Sequence, residues 1–120
     1  MGYSILFVDD DANLLQGISR LLTLERVDIT FDIADSGEAA LELLEKNRYD
    51  VVVSDQKMTG MSGLTLLSMA RSKYPDMKRV MLSAQVREEV FQEAESLAHK
   101  YISKPCDFEM ILSEIDKLFK

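Results

Sequence analysis

Val51-Val52-Val53-Ser54-Asp55 is the stretch that decides the fold. Three consecutive β-branched residues with no polar alternation make a strand only if both faces are covered, the habit of a parallel sheet with helices on either side. The run stops on a carboxylate. Working outward, three more apolar stretches behave alike: Ile5-Leu6-Phe7-Val8 stops at Asp9-Asp10-Asp11, Arg79-Val80-Met81-Leu82 at Ser83, and Tyr101-Ile102-Ser103 at Lys104-Pro105. Parallel strands share one edge for their carboxyl ends, where open α/β folds place their ligand crevice. Carboxylates, a hydroxyl and an ammonium would meet there, a set suited to a phosphoryl group and a divalent cation.

Between the strands the apolar period lengthens to that of a helix. Ser4–Val8 reads as a strand, followed by a helix that buries Leu14, Leu15, Ile18, Leu21 and Leu22. Ile29–Ala34 is the second strand, and Asp35-Ser36-Gly37-Glu38 offers a capping-box start for a helix with Ala40, Leu41 and Leu44 inward. After the valine strand, Gly60 and Gly63 punctuate a loop before Leu64, Leu67 and Ala70. Val80–Leu82 precedes a fourth helix through Val90, Ala94 and Leu97. Tyr101-Ile102 precedes a fifth, with Asp107 as N-cap and Ile111, Leu112, Ile115 and Leu118 inward. Five βα units with no repeat or linker predict one α/β domain over residues 1–120. Its sheet is parallel, doubly wound and five-stranded, in order 2-1-3-4-5, with five helices on its two faces.

Composition narrows the function classes. The 120 residues suit one domain, and 21 acidic against 14 basic residues, a formal net charge of −7, oppose direct nucleic-acid binding. The lone cysteine, Cys106, cannot form an internal disulfide, and no apolar stretch approaches a membrane span. A cytoplasmic protein is the expectation. Asp9, Asp10 and Asp55 carry the chemistry. Carboxylates about 4 Å apart repel by about 4 kcal/mol per pair at an effective dielectric of about 20, so such a group needs a cation or a shared proton. Oxygen-only ligands in a wet crevice favour Mg²⁺ over Zn²⁺. An ionised Asp is also a competent nucleophile for phosphoryl transfer once charge on the transferring oxygens is neutralised, a task for the metal and Lys104. Asp11 reads as a helix cap.

Four segments in this order and at these spacings carry a resemblance: FVDD (residues 7–10), SDQKMTGMSG (54–63), MLSAQ (81–85) and YISKP (101–105). Across essentially the whole chain, the sequence resembles the receiver domain of bacterial two-component response regulators, a flavodoxin-like fold. The resemblance implies a phosphorylation switch rather than an enzyme with a turnover of its own. A sensor histidine kinase or phosphotransfer protein would donate a phosphoryl group to Asp55. It further implies that Asp10, Asp55 and the main-chain carbonyl of Lys57 ligate Mg²⁺, with Asp9 acting mainly through water. Lys104 would pair with one phosphoryl oxygen and Ser83 would hydrogen-bond another. Small Ala84 would leave the site open, and Lys104-Pro105 would be a cis peptide. Phosphorylation would draw in Ser83, and Tyr101 would exchange between outward and inward rotamers. An output domain or downstream protein would read the surface of the fourth helix, fifth strand and fifth helix. A homodimer through the last two helices is compatible with the same surface.

Some positions depart from the family pattern. Thr59 stands where proline is usual, which predicts a less rigid loop after Asp55. Ser83 replaces the commoner threonine, keeping the hydroxyl, and Lys57 lies where its side chain could reach an acidic neighbour or shield the phosphoryl group from water. Cys106 replaces a common aromatic and reads as a small packed residue; Met58, Met61 and Met69 read as gap-filling core or loop residues, and His99 as a structural or surface residue. Rival readings fit less well. An aspartate-nucleophile phosphatase would carry its nucleophile after the first strand and add a cap domain, and a flavin module would not place three aspartates at the phosphate. A receiver-like interaction module that is never phosphorylated has no need of the complete acidic, hydroxyl and lysine set.

Overall fold

The computed structural model describes residues 2–25, 28–83, 92, 97–104 and 107–119. Strands β1 (Tyr3–Val8), β2 (Ile29–Ala34), β3 (Val51–Asp55), β4 (Lys78–Ser83) and β5 (Lys100–Ser103) form one parallel sheet in the order β2-β1-β3-β4-β5, as expected. Four helices lie among the described residues: α1 (Ala12–Glu25), α2 (Gly37–Lys46), α3 (Gly63–Lys73) and α4 (Phe108–Leu118). The helix predicted through Val90, Ala94 and Leu97 falls outside the described residues, apart from Gln92 and Leu97, which are helical. None of the described helices is long and apolar enough to cross a membrane.

Strand parity divides the core in two, because successive side chains point to opposite faces. Ile5, Phe7, Val51, Val53, Val80 and Leu82 pack against Leu15, Ile18 and Leu22 of α1 and Ile111, Leu112 and Ile115 of α4. Leu6, Val8, Val52 and Met81 point the other way, onto Ala40 and Leu44 of α2 and Leu66, Leu67 and Ala70 of α3. The valine run is therefore buried on both sides, which is why it shows no polar alternation. β2, at the sheet's edge, mixes buried Ile29 and Ala34 with exposed Thr30, Asp32 and Ile33.

Polar side chains start the helices. Asp11 Oδ1 accepts from the backbone N–H of Asn13 and Leu14 at 3.0 and 3.2 Å, so Asp11 caps α1 as read from the sequence. The cap of α2 falls on Ser36, whose hydroxyl accepts from Ala39 N–H, one residue later than a box between Asp35 and Glu38 would set it. Asp107 caps α4 as predicted, accepting from Met110 N–H at 2.8 Å.

Candidate functional site

Register alone brings the strand ends together. Val8 pairs with Ser54 and Asp55 with Leu82, so the residues just past β1 meet the end of β3. Ser83 pairs with Ser103, and Lys104 N–H donates to the Ser83 carbonyl at 2.8 Å, carrying the lysine to the same rim. Asp9 and Asp55 follow Phe7 and Val53 by two residues and so share their side of the sheet.

One oxygen from each of Asp9, Asp10 and Asp55 lies within 4.8 Å of the others. Lys104 Nζ stands 3.1 Å from Asp55 Oδ1 and 3.4 Å from Asp9 Oδ2. Asp9 is 3% exposed and Asp55 8%, whereas Asp10 faces solvent. Burial, then the charge of Asp9, push the Asp55 carboxyl above its ordinary range, with Lys104 opposing both. Burial by itself would lower Lys104, but its bonds to Asp55 and Asp9 outweigh that and hold its ammonium more firmly protonated than usual. Three carboxylates against one ammonium leave about two negative charges on an oxygen-only cluster. That donor set fits a hard divalent cation, and Asp10 offers it access from solvent.

The loop between β3 and α3 shapes the site's outer wall. Gln56 ties it down through its N–H to the Leu82 carbonyl at 2.9 Å, its carbonyl to Gly63 N–H at 3.0 Å, and its Oε1 to Leu64 N–H at 2.8 Å. A Cβ on Gly63 would lie 2.4 Å from the Asp55 carbonyl oxygen, so only glycine allows this approach. Gly60, at φ +84°, takes the left-handed turn. Thr59 N–H and Oγ1 both meet Asp10 Oδ2, at 3.0 and 3.3 Å. A proline there would supply neither donor. The loop expected to lose rigidity with threonine thus gains a tie to the end of β1.

Seven of the predicted site residues lie among the described ones. Asp9, Asp10, Asp55 and Lys104 converge, and Ser83 is buried at the end of β4 beside the Lys104 backbone. Lys57 lies on the loop with its side chain exposed. Tyr101 packs with Leu97 and Ala98 on the side of α2 and α3, its hydroxyl shielded from solvent. Ala84, Pro105 and Cys106 lie outside the described residues, and with them the predicted cis peptide. Sequence reading missed Gln56, whose role rests on backbone partners, and the bonds of Thr59, which span 49 residues. It also missed Arg79, buried in β4 with its guanidinium on the carbonyls of Leu97 and Met77 at 2.6 and 3.1 Å.

A doubly wound sheet with this cluster at its carboxyl rim defines the class of open α/β domains that hold a ligand beyond the strand ends. The chain belongs to the response regulator receiver domain family, whose pattern it matches over residues 5–116. It is 32% identical to chemotaxis protein CheY-3 of Vibrio cholerae over 97% of this chain and 91% of that one. It is 35% identical to heme response regulator HssR of Staphylococcus aureus over 92% of this chain, spanning 48% of HssR. It is also similar to the response regulator TrrA of Thermotoga maritima, solved in complex with Mg²⁺-BeF, at 30% identity and TM-score 0.84 over 98% of this chain and 99% of that one. The match spans 32% of the length of the transcriptional regulatory protein YesN of Bacillus subtilis, so for some curated relatives the chain covers only part of their length. Receiver domains are the phosphoacceptor switches of two-component signalling, working with histidine kinases and output domains.

Proposed function

We propose that residues 1–120 act as one receiver unit, phosphorylated on Asp55 with the help of Mg²⁺. The observation that carries this reading is the convergence of the three carboxylates with Lys104 on a single rim. Asp10, Asp55 and the Lys57 carbonyl would hold the cation, with Asp9 acting mainly through water. When bound, it would neutralise charge on the phosphoryl oxygens. An Asp55 carboxylate oxygen attacks phosphorus in line with the nitrogen of a phosphohistidine on the kinase. The O–P bond forms as the P–N bond breaks, and the electron pair of that bond returns to the imidazole, which takes a proton from solvent. Lys104 neutralises one phosphoryl oxygen and the Ser83 hydroxyl donates to another. Drawing Ser83 toward the phosphoryl group shifts the end of β4 and the packing of Tyr101, the change that an output domain or downstream protein reads.

The test is intact mass after exposure to a small acyl phosphate, with and without Mg²⁺, for wild type and Asp55→Asn. Gain of one phosphoryl group by wild type with Mg²⁺ only, and none by Asp55→Asn, is the expected result. Equal labelling of the two proteins removes Asp55 from this role. No labelling of wild type favours a domain that works through its surfaces alone.

A further inference from the structure

Lys104 holds two of the three acidic residues of the rim, and the third is held by something else. Asp55 is held by Lys104, and Asp9 by Lys104 and by Asp11 N–H, which donates to its Oδ1 at 3.0 Å. Asp10 is exposed, with no strand pairing beyond β1 to fix its rotamer, yet its Oδ2 receives both the N–H and the hydroxyl of Thr59. We propose that Thr59 is the positioning residue that sets the Asp10 carboxylate for a divalent cation. This inference rests on reading the rim as a Mg²⁺ site.

The chemistry follows from the lone pairs. A carboxylate oxygen accepts along two in-plane directions, and two donors from one residue occupy both on Oδ2, leaving Oδ1 to the cation. Partners of this kind orient a ligand before the metal arrives, so less rotamer freedom is lost on binding. Thr59 is itself well placed to do so. Its loop is closed by Gln56 onto β4 and α3, and Met61 packs against Gly37 at the start of α2, where a Cβ would stand 2.7 Å from the Met61 sulfur. A β-branched side chain also has few χ1 states, which keeps the hydroxyl aimed.

Calorimetric titration of Mg²⁺ into the metal-free chain tests this without any phosphodonor. Thr59→Ala keeps the N–H and loses the hydroxyl, and its Kd for Mg²⁺ is expected to rise about three- to tenfold. Thr59→Ser restores the hydroxyl and should return the Kd to within about twofold of wild type, a rescue that loss of general loop packing would not give. Thr59→Pro removes both donors and should weaken binding further. Melting in EDTA monitors folding, and Thr59→Ala carries the test if the proline variant does not fold. Wild-type affinity, or tighter binding, in Thr59→Ala overturns the role of Thr59 while leaving the metal site standing. No Mg²⁺ binding by wild type overturns both.

Discussion

Asp55 is destabilised by its own surroundings, and that cost is measurable. Its carboxyl titrates above the ordinary 3.8 because burial and the neighbouring Asp9 disfavour the charge more than Lys104 favours it. A carboxyl whose folded pKa is raised costs stability above that pKa, and the cost fades as pH falls toward the unfolded value. In EDTA at neutral pH, Asp55→Asn is therefore expected to melt above wild type, since the amide carries no charge to bury. The gap should narrow on acidification, and Mg²⁺ should raise the melting of wild type more than that of the variant. Equal melting of the two proteins in EDTA at neutral pH would show that the buried charge is already compensated. The identity of the charged residues was legible in the sequence, because each ends an apolar run. Their partners were not: the Lys104 contact to Asp9 joins residues 95 apart, and a spacing rule cannot see it.

At the scale of elements, the site depends on backbone approaches that single methyl groups would block. Gly63→Ala would drive its Cβ to 2.4 Å from the Asp55 carbonyl oxygen and 2.9 Å from Gln56 Cα, both backbone atoms that cannot swing aside. A loss of about 2 kcal/mol in urea unfolding is expected, with slower labelling of Asp55. Gly37→Ala meets Met61, whose sulfur can swing aside but whose Cβ, 2.9 Å away, moves only with its backbone; with no clash as short as that at Gly63 it should cost less, though not nothing. The edge between β4 and β5 has a different fastening. His99 Nδ1 accepts from Arg79 N–H at 3.0 Å, while His99 N–H donates to the Arg79 carbonyl at 2.7 Å. Partial burial, then the charges of Arg79 and Lys78, lower the imidazole pKa from its ordinary 6.5. The contribution of the neutral ring is present above that ordinary value and is lost as pH falls below it, since a protonated Nδ1 can no longer accept. Between about pH 7 and 5, His99→Gln should show a shallower fall in melting temperature than wild type; parallel curves would remove His99 from the pH response. Valine runs and helical spacings gave these elements away in advance, whereas the Arg79 guanidinium under Leu97 contradicts the usual surface position of arginine and had no local signal.

Across the whole molecule, parity was the readable quantity. Alternating assignment of Leu6 and Phe7, or Val52 and Val53, to opposite cores follows from strand geometry, and parallel strands in the expected order then bring four carboxyl ends to one rim. What parity leaves open is how the loops return, and the tie from Thr59 to Asp10 lies in such a return. The same architecture divides labour between sheet and helices. Asp55, Ser83 and the flanks of Asp9 and Lys104 are carried by paired backbone, whereas the helices form the layers packed on the two faces of the sheet. The reactive side chains thus rest on the sheet, and the helices clothe it. Substitutions on the solvent side of a helix leave the strand pairing that carries the rim untouched, so the outer surface of such a domain can be redrawn without rebuilding its centre.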